Sequence, residues 1–146
     1  MKSIFLIDDD EDDQEFFVEA VSVVAPHVKV EIANDGEALM ELLLNKKLLP
    51  DIIFLDLNMP RKNGHACLQE IRANKKLSPI PIVIYSTSSN SEQIDSTFKC
   101  GANLYIPKPE SFADLKLIAK NIFSMNWENS VQPDKNNFVL SAKNLV

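Results

Sequence analysis

Residues 4–17 read I-F-L-I-D-D-D-E-D-D-Q-E-F-F. Four apolar residues, enough for a short buried strand, run straight into six consecutive acids, Asp8 to Asp13. Driving a buried strand into so much negative charge requires something positive at its end. Beyond the acids, Phe16, Phe17, Ala20, Val21 and Val24 recur at helical spacing, and Pro26 stops that helix. The stretch therefore reads as strand, acidic loop, helix.

The acidity is local. The chain has 146 residues and a net charge of −6, from 21 acids and 15 bases. Seven of the acids lie between Asp8 and Glu15, and without them 14 acids face 15 bases, a balance of +1. Direct nucleic-acid binding by bulk charge is therefore not expected. With 45% apolar and 25% charged residues the composition is that of a globular protein, and the length suits one domain with its own core. No signal-type stretch follows Met1-Lys2-Ser3 and no run of 18 apolar residues occurs, which predicts a cytoplasmic protein with no membrane partner. Cys67 and Cys100 stand apart with no CxxC spacing and read as small hydrophobes in a reducing compartment. His27 and His65 fall in turn-like contexts and receive no role.

The strand–helix rhythm continues along the chain. Val28, Val30 and Ile32 alternate as a strand that ends at the turn signal Asn34-Asp35-Gly36. Ala38, Leu39, Leu42 and Leu43 give a second helix, closed before Pro50. Ile52–Leu55 is a continuous apolar strand running into Asp56, and a third helix carries Leu68 and Ile71. Pro79 and Pro81 introduce a strand over Ile82–Tyr85. Ser89 with Glu92 offers a capping box for a helix holding Ile94 and Phe98, with Gly101 as a left-handed stop. Leu104–Ile106 is a short strand, and Ser111 with Asp114 caps a last helix through Leu115, Ile118, Ala119, Ile122 and Phe123. Five strands alternating with five helices predict an α/β fold, a doubly wound parallel sheet covered on both faces.

Such sheets do their chemistry beyond the carboxyl ends of the strands. There the sequence places Asp8 and Asp9 after the first strand, Asp56 and Asn58 after the third, Ser86 and Thr87 after the fourth, and Lys108 after the fifth. Three carboxylates held close repel one another unless a cation compensates them. An all-oxygen set suits a hard divalent ion, Mg²⁺ or Mn²⁺ in its place, and no Cys/His cluster suits zinc. A metal, a Lys and a hydroxyl could neutralise a transferring phosphoryl group from several sides, which makes Asp56 a candidate nucleophile. Glu11, Asp12 and Asp13 read as a solvated helix N-terminus, where acids favour the helix dipole. Asp10 is placed closer to the metal's waters.

The segments F-L-I-D-D-D, D-I-I-F-L-D-L-N-M-P-R-K-N-G, I-V-I-Y-S-T-S and G-A-N-L-Y-I-P-K-P together resemble the receiver domain of two-component response regulators, colinearly from Ser3 to Asn129. D-D-D-E-D-D-Q-E-F-F and I-V-I-Y-S-T-S-S further resemble the single-domain, phytochrome-associated subgroup. The resemblance implies a flavodoxin-like (βα)5 sheet and Asp56 as phosphoacceptor. It implies metal ligation by Asp8, Asp9, Asp56 and the Asn58 backbone carbonyl, and phosphate contacts from Ser86 and Lys108. Ser86 and Tyr105 become the switch pair, and the peptide before Pro109 is expected to be cis. Thr87 departs from the family, most members of which carry a smaller Ala there. The implied donor is a sensor histidine kinase or a His phosphotransfer protein. On this reading the chain is no enzyme, although it assists its own phosphorylation and dephosphorylation.

The alternatives fit less well. A haloacid-dehalogenase-type phosphatase needs D-x-D-x-[TV] after its first strand, and Asp12 stands where the Thr or Val belongs. An EF-hand needs a loop Gly and a closing Glu that the acidic run lacks. Gly36, Gly64 and Gly101 are the only glycines, so no phosphate-cradling loop for a nucleotide enzyme exists. The receiver domain is expected over residues 1–131, with 132–146 a tail and no separate output domain. Output then requires contact with another protein, whose identity the sequence does not name. The face of the fourth helix, fifth strand and fifth helix is the expected partner surface, for a homodimer or a docking kinase. Phe123, Trp127 and Phe138–Leu140 are expected to be exposed there.

Overall fold

A computed structural model describes residues 1–45, 49–59, 62–128 and 132–145. The expected motif residues Pro60 and Arg61, the end of the matched stretch at Asn129, and the boundary at 131 lie outside the described residues. Among those described, β1 (Ser3–Ile7), β2 (Lys29–Ala33), β3 (Ile52–Leu55), β4 (Ile82–Ser86) and β5 (Leu104–Pro107) form one parallel sheet in the order β2-β1-β3-β4-β5. Helices α1 (Glu11–Val24), α2 (Gly36–Asn45), α3 (Gly64–Ala73) and α4 (Ser91–Lys99) are the crossovers, and α5 (Phe112–Ser124) follows β5.

The strands read as unbroken apolar runs because both faces are covered. Phe5, Ile7, Ile53, Leu55, Ile82, Ile84 and Tyr105 point into one core with Leu39, Leu43, Leu68 and Ile71 of α2 and α3. The alternate residues Ile4, Leu6, Ile52, Phe54, Val83, Tyr85, Leu104 and Ile106 point into the other, against Phe17 and Val21 of α1 and Leu115, Ile118 and Ile122 of α5. Phe17 packs on Phe54 with ring centroids 4.9 Å apart. A one-residue slip of any strand would exchange its two cores.

Helix starts and stops explain most boundaries, and two differ from expectation. The Ser111 hydroxyl accepts from Asp114 N at the start of α5, as the capping pair implied. The cap of α4 is instead Asn90, whose side chain accepts from Glu92 N and Gln93 N, so the helix begins at Ser91 and Ser89 lies outside it. Asn34-Asp35-Gly36 is likewise no free turn. Asp35 accepts from Ala38 N at 2.8 Å and starts α2 at once. Gly101 has φ of +91°, the left-handed stop expected after α4. Gly64 is needed for a different reason: a Cβ there would run into the Asp56 carbonyl oxygen where the chain doubles back into α3.

The largest departure is the tail. Tyr105 N donates to Phe138 O at 3.0 Å and Leu140 N to Tyr105 O at 2.9 Å, so the tail pairs in parallel along the outer edge of β5. Phe138 is fully buried against Phe98 and Tyr105, and Leu140 is buried in the opposite core. Gln132 donates to the carbonyls of Phe98 and Ala102, and Lys135 pairs with Asp95 of α4. Phe123 and Trp127 are partly buried, and the Trp127 indole donates to Ile122 O. The expected exposed apolar patch is therefore filled by the chain's own tail. An apolar run that can bury itself on an open strand edge does so, satisfying edge N–H and C=O groups as well. No helix among the described residues is long and apolar enough to cross a membrane.

Candidate functional site

In the order β2-β1-β3-β4-β5, connections run in opposite directions on either side of the β1–β3 seam, and a crevice opens there at the carboxyl ends. Asp8 follows β1 directly and Asp56 follows β3 directly. Asp8 N bonds Ala33 O at 3.1 Å and Asp56 N bonds Ile7 O at 3.0 Å, which extends the sheet ladder to the first atoms of the site. Carboxylate oxygens of Asp8, Asp9 and Asp56 all lie within 4.8 Å of one another. Asp8 is fully buried, Asp56 nearly so, and Asp9 is exposed.

Lys108, at the end of β5, closes the site from the other side. Its backbone N donates to Ser86 O at 2.8 Å, holding the two strand ends together. Its ammonium donates to Asp8 Oδ2 at 2.7 Å, Asp13 Oδ2 at 2.8 Å and Asp56 Oδ2 at 3.1 Å. It also lies 5.3 Å from the centroid of the Tyr85 ring. Burial works against the cation, but the bonds to Asp13 and Asp8 and the charge on Asp56 outweigh it, so the Lys108 pKa is raised and the group stays protonated. The Lys108–Pro109 peptide is trans, contrary to the expectation of cis. The four-carbon side chain spans the strand ends without that bend.

Ser86 is fully buried at the end of β4, and its Oγ accepts from Ser88 N at 3.3 Å. Tyr105 is fully buried as well, and its hydroxyl donates to Ser88 O at 2.8 Å. The aromatic member of the expected switch pair thus lies inside the core. Burial raises its pKa. Asn58, two residues past Asp56, donates its N–H to Asp56 Oδ1 at 3.2 Å and shares a cleft with Asp9, Met59, Asn63 and His65.

Three residues at or near the site escaped the sequence. Asp13, read as solvated, reaches back from the first turn of α1 to Lys108. Gln14 donates to Asp8 O at 2.6 Å and to Asn34 Oδ1 at 2.8 Å, bracing the β1 end against the β2 end. Both lie at the first turn of α1, next to the end of β1, and that position was the available signal. His65 is in the first turn of α3 rather than a turn, with Cys100 Sγ 3.7 Å from Nε2.

The donor set fits a divalent metal. Three carboxylates offer hard oxygen ligands at one crevice, the set suited to Mg²⁺ or Mn²⁺.

A receiver is the class of protein that fold and site define, and the chain belongs to the response regulator receiver domain family, whose model matches residues 4–120. It is 30% identical to the response regulator Rcp1 of Synechocystis over 137 residues, 90% of this chain and 93% of that one. It is similar to the structure of the phosphorylated cyanobacterial phytochrome response regulator RcpA, with a TM-score of 0.80, 32% identity, and coverage of 91% of this chain and 99% of that one. The Mn²⁺-bound form of Rcp1 superposes with a TM-score of 0.77 at 30% identity, over 91% and 99% of the two chains. The protein is therefore a response regulator of two-component signalling, and the phosphatase alternative falls away.

Proposed function

We propose that Asp56 is the phosphoacceptor and that the chain takes its phosphoryl group from a sensor histidine kinase or a His phosphotransfer protein. The observation that carries this is the triangle of Asp56, Asp8 and Lys108, with Asp9 beside it. It provides a nucleophilic carboxylate, a metal-binding pair and a fixed cation at one sheet edge.

An Asp56 carboxylate oxygen forms a bond to phosphorus while the donor's P–N bond breaks, and its electron pair returns to the imidazole, which takes up a proton. Asp8, Asp9, Asp56 and the Asn58 carbonyl would hold a divalent ion, Mg²⁺ by preference, which when bound would neutralise charge on the phosphoryl oxygens. Lys108 neutralises a second oxygen, and Ser86 offers its hydroxyl to a third. Hydrolysis later needs an in-line water, whose path Asn58 and Ser88 border, so the chain assists its own dephosphorylation. Phosphorylation replaces the single charge of the Asp56 carboxylate with a bulkier phosphoryl group of about −1.5 to −2 and adds strong acceptor oxygens. Ser86 responds and moves the loop carrying Ser88, which Tyr105 holds. The signal then leaves through the face of α4, β5 and α5, to which the tail belongs.

The receiver spans residues 1–131 and is followed by the tail 132–146. The likeness to RcpA, a phytochrome response regulator, supports a phytochrome-type kinase as donor. Acetyl phosphate with Mg²⁺ tests the chemistry: one phosphoryl group per chain that then decays is expected. Continuous phosphate release from an added ester, or uptake that is unchanged in a metal chelator, would contradict the reading.

A further inference from the structure

The Lys108 ammonium has three N–H donors, and in the unmodified protein all three are taken, by Asp8, Asp13 and Asp56. Its side chain is only 7% exposed, so water supplies no reserve of partners. On phosphorylation the Asp56 bond passes to the phosphoryl group itself, and a second phosphoryl oxygen that meets this cation must displace a carboxylate, Asp8 or Asp13. Asp8 cannot move away easily, being fully buried and tied also to Asp10 N at 3.0 Å. Asp13 is 35% exposed. It borders an open cleft with Asp12, Phe16, Thr87 and Pro109, into which its carboxylate can withdraw.

We propose that Asp13 is a positioning residue that occupies one Lys108 N–H in the unphosphorylated protein and yields it to the phosphoryl group. The inference rests on Asp56 being the phosphoacceptor. Asp13 acts as a built-in anion competing with phosphate for one cation, and its removal leaves Lys108 free to meet the incoming group. An exposed or half-exposed ion pair is worth up to about 1 kcal/mol, so the competition amounts to roughly fivefold at most.

The test compares wild type, Asp13→Ala and Asp12→Ala with acetyl phosphate and Mg²⁺, where an Asp56 oxygen joins phosphorus and the electron pair of the broken P–O bond leaves on acetate. Asp12 carries the same charge one residue earlier in the same helix turn and makes no bond to Lys108. It therefore controls for bulk charge and the helix dipole. Asp13→Ala should take up phosphate roughly threefold to fivefold faster than wild type, with Asp12→Ala within about 1.5-fold of it. The Lys108 ammonium resonance in ¹H–¹⁵N spectra gives a second readout. In metal-free, unmodified protein it should differ between wild type and Asp13→Ala, and in the phosphorylated forms the two should coincide. Equal or slower uptake in Asp13→Ala, an equal gain in Asp12→Ala, or a resonance difference that persists after phosphorylation would overturn the proposal. Wild type that takes up no phosphate would overturn the phosphoacceptor reading instead.

Discussion

The Tyr105 hydroxyl donates to the Ser88 carbonyl at 2.8 Å, while Ser88 N donates to Ser86 Oγ at 3.3 Å. One residue of the loop after β4 therefore joins the buried hydroxyl at the site to the buried tyrosine of β5. A neutral hydrogen bond of this kind contributes about 1 kcal/mol net. Tyr105→Phe keeps the ring and removes only that bond, so amide exchange over residues 87–90 should become several-fold faster. Exchange at the wild-type rate would mean that the loop is held by other contacts.

Phe138 carries the docking of the tail. It is fully buried between Phe98 and Tyr105, with ring centroids 5.1 Å and 6.3 Å away. Truncating a buried Phe to Ala costs roughly 3–5 kcal/mol, and the low end suits a site at a sheet edge that can partly collapse. Urea unfolding of Phe138→Ala should show a loss of about 3 kcal/mol. A loss below about 1 kcal/mol would mean the tail does not rest on β5 in solution.

Arg72 holds a second joint. Its guanidinium donates to the carbonyls of Gly101, Ser78 and Ile80 and to Asn103 Oδ1, all at 2.8–2.9 Å. Burial lowers its pKa, and the carbonyl oxygens compensate the cation. Arg72→Ala leaves these acceptors short of a donor and should destabilise by about 3 kcal/mol in the same assay. Lys, with a point-like head in place of a planar fork, should recover only part of it.

Asp51 accepts from Lys2 N at 2.8 Å and Ser3 N at 3.0 Å, fastening the start of β1. Slight burial works to raise its pKa, but the two backbone donors and the Lys2 charge prevail, and the folded value is lowered. A depressed carboxylate adds stability above its unfolded pKa and loses it as pH falls through the folded value. Wild type should therefore be more stable than Asp51→Asn at pH 7, and the difference should close below about pH 4. A gap that stays constant with pH would rule out the ionised carboxylate as its source. The group is largely exposed, so the gap is small.

The strands and helices were legible because each depends on neighbours within a few residues. Ile4–Ile7 and Ile52–Leu55 announce themselves as apolar runs ending in acids, and the parallel sheet follows from alternation alone. Asp8, Asp9, Asp56, Ser86 and Lys108 were legible because every strand end points to one crevice. What was hidden depends on distant partners. Asp13 finds Lys108 95 positions away, and Arg72 finds Asn103 31 positions away. The tail's place on β5 was hidden for the same reason: Phe138-Val139-Leu140 is an apolar run of three residues, and only the open edge beside Tyr105 turns it into a paired segment. Asn90 won the α4 cap from Ser89 by one residue, a margin that local spacing does not resolve.

The central claim is that Asp56, compensated by Lys108 and a divalent ion, receives the phosphoryl group. Intact-mass spectrometry after incubation with acetyl phosphate and Mg²⁺ tests it most directly, on wild type and on Asp56→Asn. The wild-type chain should gain the mass of one phosphoryl group, and Asp56→Asn should gain none. A full phosphoryl adduct on Asp56→Asn, at the wild-type level and with the same lability, would contradict the account.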